Sequence, residues 1–453
     1  MTVNYYRTVL LALGTALGLA QGMTSLAAAA GDRPPSRTDA AALQRWEDLR
    51  FGVMFHWGPA VLRNQEISWS MSNREKYEAV YARFNPKRFD ADAWIGIATE
   101  AGARYAVYVC KHHDGFCMWD TATTDNNIMH TPFKRDVVAE LAAACQRQNM
   151  FFGTYLSIMD IHEAKWNRCY AARTEMPGYP EGIPHIEDIT ARQTLELLKK
   201  YGSQLMWYDG AWLQGWRTGS SPATAMAQIK DCNPQALITR LGNNVDDFVS
   251  MEAKIGAYRA TPWEMVTSTA YPTYSYNDHI KYKPAGYFLQ ILSRVACGNG
   301  NLLLNFVPDV EGEIGPEQQQ IAQGIGGWLK TNGAAIYGTQ GGPWYPNAWG
   351  GSTRHGKTVF IQLLPEAPEH LVLPGCGAKV MAAKVLGGGP VTVTESPAGM
   401  ELTVPLKDRN PDVTVVELTL DAEVQGMIEA SKPHGAVIKK SDSVPAPAEE
   451  RKK

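Results

Sequence analysis

From about residue 50 to 335 the chain alternates short apolar runs with longer stretches of helical period, a pattern that predicts parallel strands joined by crossover helices. Leu49 to Trp57 reads as the first strand. Asp90 is placed to cap a helix through Trp94, Ile95 and Ile97 that stops at Gly102, and Asp136 to cap another carrying Val137, Val138, Leu141 and Cys145. Further strands are expected at Tyr105–Cys110, Phe151–Leu156, Leu205–Tyr208, Ala236–Thr239 and Leu302–Asn305, with helices near 190–201, 287–296 and 318–330. That makes six strands. Two more are expected in the less regular stretches near 159–189 and 244–283, and eight would close a barrel.

Beyond about residue 340 the period changes. Runs at 359–361, 370–373, 379–386, 391–393, 402–404 and 413–420 are short and separated by Gly, Pro, Asn and Asp, which predicts a small antiparallel β-sandwich. The expected organisation is therefore a signal peptide over 1–30, a (β/α)8-type (TIM-like) catalytic domain over 31–340, a C-terminal β-sandwich over 341–425 and a disordered tail over 426–453. The leader follows from Arg7 before the apolar run Thr8–Ala20 and the small residues Ala27-Ala28-Ala29-Ala30-Gly31, which predict cleavage and a secreted or periplasmic protein. Gly14 and Gly18 break that run, and no other segment is long and apolar enough to span a bilayer.

Composition adds exclusions. A formal net charge of −3 without a basic cluster outside the short tail argues against nucleic acid or an anionic membrane as partner. The seven cysteines are odd in number and lack framework or CxxC spacing. Cys110, Cys145 and Cys297 lie in apolar runs, where a thiol behaves as a small buried hydrophobe. The oligomeric state is left open between a monomer and a homo-oligomer.

The chemistry collects where predicted strands end, the face on which barrels carry their active sites. His56 ends the first strand, His112 and His113 the second, Tyr155 lies near the end of the third, Asp209 ends the fourth and Arg240 the fifth. Each has a plain alternative: Asp209 as a helix cap, His56 as a satisfied core histidine, Trp69 and Trp119 as packing residues. Together they describe a pocket for a polyhydroxylated ligand, with Trp57, Trp69, Trp119, Trp207 and Trp212 available to stack on a sugar's apolar face. Adjacent His112 and His113 are expected on opposite faces of a strand, unable to share a metal. With no His-x-His or Cys pair, no metal and no cofactor is expected.

These residues carry a resemblance. Arg50-Phe51-Gly52-Val53-Met54-Phe55-His56-Trp57-Gly58, Lys111-His112-His113-Asp114-Gly115-Phe116, Trp207-Tyr208-Asp209-Gly210, Pro262-Trp263-Glu264, Gly298–Asn305 and Trp328–Gly333 with Ile336–Thr339 occur in an order that resembles the glycoside hydrolase family 29 α-L-fucosidases, from about Arg45 to Leu420. The resemblance implies a retaining exo-glycosidase acting on fucosylated glycans or glycoconjugates. Such enzymes use two carboxylates roughly 5–5.5 Å apart, one as nucleophile and one as acid/base. Asp209 matches the nucleophile, and His56, Trp69, His112, His113, Tyr155, Trp207 and Arg240 the substrate-binding set.

For the acid/base, Glu252 stands 12 residues after Arg240, the spacing of those members that carry an Arg and then a carboxylate, and 43 after Asp209; Glu264 is the alternative. Both are placed in a loop-rich region, where a raised pKa would need burial beside tryptophan or the Asp209 charge. Two departures stand out. Ser68 replaces a glutamate that often precedes the stacking tryptophan, so that contact is absent or taken over by Glu66, and Asn332-Gly333-Ala334 replaces Asn-Gly-Glu. Competing expectations are a retaining glycosidase for an L-galactose-configured sugar and a fucose-binding protein without turnover.

Overall fold

The computed structural model describes residues 39–431 apart from 65–66, 69–78, 161, 163–178, 212–215, 217–219, 243, 256, 272 and 398. The expected leader and most of the expected tail lie outside the described residues. Eight parallel strands form one sheet: β1 (Phe51–Phe55), β2 (Tyr105–Lys111), β3 (Phe151–Ser157), β4 (Leu205–Asp209), β5 (Leu237–Thr239), β6 (Val249–Glu252), β7 (Trp263–Ser268) and, after a small hairpin of β8 (Ala270–Tyr271) and β9 (Lys281–Tyr282), β10 (Asn301–Phe306). Their order, β5-β4-β3-β2-β1-β10-β7-β6, brings β5 and β6 to the two edges of a barrel.

A side chain helps to bridge that seam. The Asp247 N–H donates to Ile238 O at 2.8 Å, while Asp247 Oδ2 accepts from Ile238 N–H at 2.8 Å and from Lys230 Nζ at 3.0 Å. Thr239 Oγ1 adds a bond to Phe248 O at 2.9 Å.

Strands β1, β2, β4 and β10 are buried at every position, as expected of a parallel sheet covered on both faces. Helix α1 (Ala40–Leu49) precedes β1, the crossover helices include α2 (Ala91–Glu100), α3 (Val137–Arg147), α4 (Tyr179–Tyr201), α5 (Ser221–Cys232) and α6 (Ala285–Cys297), and α7 (Pro316–Asn332) follows β10. Asp90 and Asp136 cap α2 and α3, accepting from Ala93 N–H and Ala139 N–H. Among the described residues no helix separates β5 from β6 or β6 from β7.

That irregularity explains one displaced expectation. Both additional strands fall within 244–283, as β6 and β7, and the described part of 159–189 holds the start of α4 instead. The sequence Val249-Ser250-Met251-Glu252 lacks an apolar run because β6 is only partly covered.

Gly52 shows how the barrel floor is packed. A Cβ there would lie 2.4 Å from the Tyr105 ring, so the missing side chain lets that ring cross the floor.

The second body of sheet comprises β11 (Gln340–Gly341), β12 (Gly350–His355), β13 (Thr358–Leu363), β14 (His370–Leu373), β15 (Val380–Val385), β16 (Thr392–Ser396), β17 (Gly399–Thr403) and β18 (Thr414–Leu420). They form antiparallel sheets of order β11-β12-β13-β18-β15 and β14-β17-β16 around Trp344, Ile361, Leu371, Leu402 and Leu418. The unanticipated strand β12 reads Gly-Gly-Ser-Thr-Arg-His. Its buried Thr353 meets the barrel: Thr353 Oγ1 donates to Ala335 O at 2.6 Å, beside Gln362 Nε2 from β13 at 3.1 Å. Among the described residues, no helix is long and apolar enough to cross a membrane.

Candidate active site

Asp209 is the last residue of β4 and is buried. Its Oδ2 accepts from the Tyr155 hydroxyl at 2.7 Å, and its Oδ1 from Arg240 Nη2 at 2.9 Å and from Gly210 N–H at 3.0 Å. Burial alone would raise the carboxyl pKa, but Arg240, His113, the Tyr155 hydroxyl and the Gly210 amide outweigh it and hold the group below its ordinary value. The carboxylate is therefore ionised and aimed, as a nucleophile must be.

Arg240 follows β5 in a left-handed conformation, φ 58°, and its guanidinium lies 4.6 Å from the Trp207 ring centroid. Through Nη1 it donates to Glu252 Oε1, so one guanidinium holds both carboxylates. Trp207 stacks on Tyr155 with centroids 5.0 Å apart, and Tyr155 stacks on His112 at 5.5 Å. His56 and His113 complete the wall: His56 lies 5.9 Å from both His112 and Tyr155, and His113 lies 4.2 Å from His112.

The two candidate acids sit at opposite ends of their strands. Both lie in strands, contrary to the loop placement expected from sequence. Glu252 is the last residue of β6, with its side chain 45% exposed at the barrel's C-terminal face. Glu264 is the second residue of β7 and fully buried. It accepts from Trp207 Nε1 at 2.9 Å, Ser250 Oγ at 2.9 Å and Tyr105 Oη at 2.8 Å. Burial raises its pKa, opposed by those three donors and by Arg240. With its oxygens engaged below Trp207, it supports the indole from the floor.

The adjacent histidines also depart from expectation. β2 ends at Lys111, after a register shift between Val109 and Lys111, so strand alternation no longer governs His112 and His113. Gly115, at φ 77°, closes the turn where a Cβ would lie 1.9 Å from Asp160 Oδ1. As a result His112, His113 and Asp209 present ligand-type atoms within 4.8 Å of one another. Arg240 already pairs with Asp209, and the two Nδ1 atoms each lie 2.7 Å from a serine hydroxyl, Ser68 or Ser157. That arrangement suits hydroxyls better than a dication, and activity is expected to survive EDTA followed by dialysis. Loss on chelation with recovery on adding one metal would reverse the assignment.

Of the predicted stacking residues, Trp57 and Trp119 belong to the core, their indole N–H groups bonded to Asp309 O at 2.8 Å and Glu196 Oε2 at 2.9 Å. Trp69, Trp212 and Glu66 lie outside the described residues. Unanticipated were Asn305 and Ser157, which hold His56 and His113. Asn305 carried a readable signal, a polar residue ending the apolar run Leu302-Leu303-Leu304.

Burial pushes the imidazoles of His56 and His113 down to about 4. Asn305 and Asp209 oppose this at His56. At His113 Asp209 opposes it, while Arg240 and Lys111 add to it. In the unfolded chain histidine protonates near 6.5. The unfolded state therefore binds more protons between about pH 6.5 and 4, and stability should fall as pH drops through that window, on the order of 3 kcal/mol per imidazole by pH 4. Glu264, whose pKa is raised, works in the opposite sense. Urea unfolding at stepped pH reads the slope, which His56→Gln should reduce; an unchanged slope would contradict the assignment.

A family model described as Alpha-L-fucosidase matches residues 23–334. The chain belongs to the α-L-fucosidase family. The enzyme is 25% identical over 417 residues to an α-L-fucosidase of Dictyostelium discoideum, covering 82% of this chain and 87% of that one. It is similar to α-L-fucosidase isoenzyme 1 from Paenibacillus thiaminolyticus with a TM-score of 0.76 and 28% identity, covering 84% and 99% of the two chains. An α-L-fucosidase from Bacteroides thetaiotaomicron, solved as a trapped covalent intermediate with 2-fluoro-fucosyl fluoride in a Glu-to-Gln mutant, shares the fold with a TM-score of 0.77 at 24% identity, covering 86% and 98%. The enzyme is thus a glycoside hydrolase, built on a parallel barrel followed by antiparallel sheets.

Proposed function

We propose that the enzyme is a retaining exo-glycosidase that removes terminal α-L-fucosyl residues from glycans, with Asp209 as nucleophile and Glu252 as acid/base. The observation that carries this reading is the Arg240 guanidinium, which holds Asp209 and Glu252 together at the C-terminal ends of β4 and β6. Asp209 attacks the anomeric carbon, and Glu252, once protonated and turned from Arg240, gives its proton to the departing oxygen. Glu252 then takes a proton from the water that hydrolyses the glycosyl ester. The fixed Asp209 charge stabilises the oxocarbenium-like transition state, and its preset bonds to Tyr155, Arg240 and Gly210 cost no reorganisation during reaction.

His56, His112, His113, Tyr155 and Trp207 hold the sugar, with Arg240 orienting the carboxylates and Trp69 as a further stacking residue. The trapped covalent intermediate of the Bacteroides relative supports retention. Export through a cleaved leader over residues 1–30 is part of the proposal, tested by the N-terminal sequence of protein recovered outside the cytoplasm. The substrate reading is tested by comparing an aryl α-L-fucoside with the matching L-galactoside. The fucoside should be turned over with the higher kcat/KM, and a preference for the galactoside would transfer the activity to that sugar class.

A further inference from the structure

Each of the three imidazoles in the pocket meets a single protein oxygen at Nδ1, and the other bonds of that oxygen determine which ring nitrogen carries the proton. Asn305 donates through Nδ2 to Tyr274 O at 3.0 Å and to Ser268 Oγ at 3.1 Å, so its Oδ1, 2.7 Å from His56 Nδ1, acts as acceptor. His56 therefore carries its proton on Nδ1 and presents the Nε2 lone pair.

Ser157 gives the same result by another route. Its hydroxyl proton is committed to Met159 O at 2.7 Å, so its oxygen accepts from His113 Nδ1–H at 2.7 Å. His113 Nε2 lies 3.6 Å from Asp209 Oδ2, beyond hydrogen-bond reach, as expected when no proton lies between them.

Ser68 does the reverse. It is fully buried, and its oxygen accepts the Asp114 N–H at 3.0 Å. Among the described residues, the only acceptor recorded for its own proton is His112 Nδ1 at 2.7 Å. His112 then carries its proton on Nε2. The serine sits at φ 65°, a costly conformation for a non-glycine residue, and it is a positioning residue for this ring. Burial lowers the pKa of all three histidines, which keeps each ring neutral with one proton to place.

We propose that Ser68, against Asn305 and Ser157, gives the pocket one imidazole donor, His112, and two imidazole acceptors, His56 and His113. This rests on the reading of these histidines as fucose ligands. One sugar hydroxyl would then accept from the protein, and two would donate to it. The pattern distinguishes hydroxyls by their hydrogen-bond role as well as by position.

Imidazole ¹⁵N–¹H NMR of the enzyme near neutral pH, with signals assigned by single histidine substitutions, should show His112 protonated on Nε2 and His56 and His113 on Nδ1. A His112 ring protonated on Nδ1 would overturn the proposal. Inhibition constants of L-fucose, its monodeoxy and its monodeoxyfluoro derivatives test the consequence, because fluorine accepts weakly and never donates. Each deoxy sugar should bind about tenfold more weakly.

At the hydroxyl facing His112 the fluoro sugar should regain part of that loss, whereas at the other two it should bind no better than the deoxy sugar. Ser68→Ala should weaken L-fucose about tenfold and remove the fluoro advantage; a retained advantage with an unchanged His112 tautomer would refute the role of Ser68. If L-fucose fails to compete with substrate at all, the sugar assignment falls, and the NMR pattern still decides the tautomers.

Discussion

Asp209→Gly should retain fucose binding while losing kcat by on the order of 10⁴-fold, a barrier increase of about 5 kcal/mol. The side chain is the one carboxylate that receives Tyr155, Arg240 and Gly210 together, and it is held ionised by them. Removing it vacates a space beside a guanidinium that still carries its charge. Added azide should enter that space, attack in place of the carboxylate and restore turnover with the opposite anomeric configuration in the product. Near-normal activity without azide would end the nucleophile assignment.

Glu252→Ala should separate substrates by their leaving groups. A general acid contributes roughly 10²–10⁴-fold where the departing oxygen is basic and much less for an activated aryl fucoside. Natural fucosides should therefore slow by that range, the aryl substrate by far less, and the basic limb of the pH profile should vanish. Glu264→Gln should behave differently. It leaves one of three buried donors without its acceptor, costing about 1–3 kcal/mol of stability, while the pH profile keeps both limbs. Should Glu264→Gln flatten the basic limb and Glu252→Ala leave it, the acid/base role passes to Glu264.

Much of the barrel was legible because its signals are local. A parallel strand covered on both faces must be apolar throughout, so β1, β2, β4 and β10 announce themselves, and Asp90 and Asp136 mark their helices by bonds within three residues. The rule that barrel chemistry sits at strand ends then singled out His56, the His112-His113 pair, Asp209 and Arg240. The same locality left β6 without bounds and β12 unseen. Their side chains are chosen by partners distant in sequence: Ser250 by Glu264 across the sheet, Thr353 by the Ala335 carbonyl of the barrel.

What the sequence by itself determined was most of the barrel's succession of strands and helices, the change to antiparallel sheet after it and the family. Tertiary structure decided the rest. Spacing favoured Glu252 and left Glu264 as the alternative, and only the sheet register places one at the open face beside Arg240 and the other in the floor beneath Trp207. Alternation argued that His112 and His113 diverge, and a register shift at the end of β2 brings them together. The physical reason is common to both cases: a side chain's direction and its proton depend on which backbone and which oxygen arrive beside it from elsewhere in the chain, and residue order does not record that arrival.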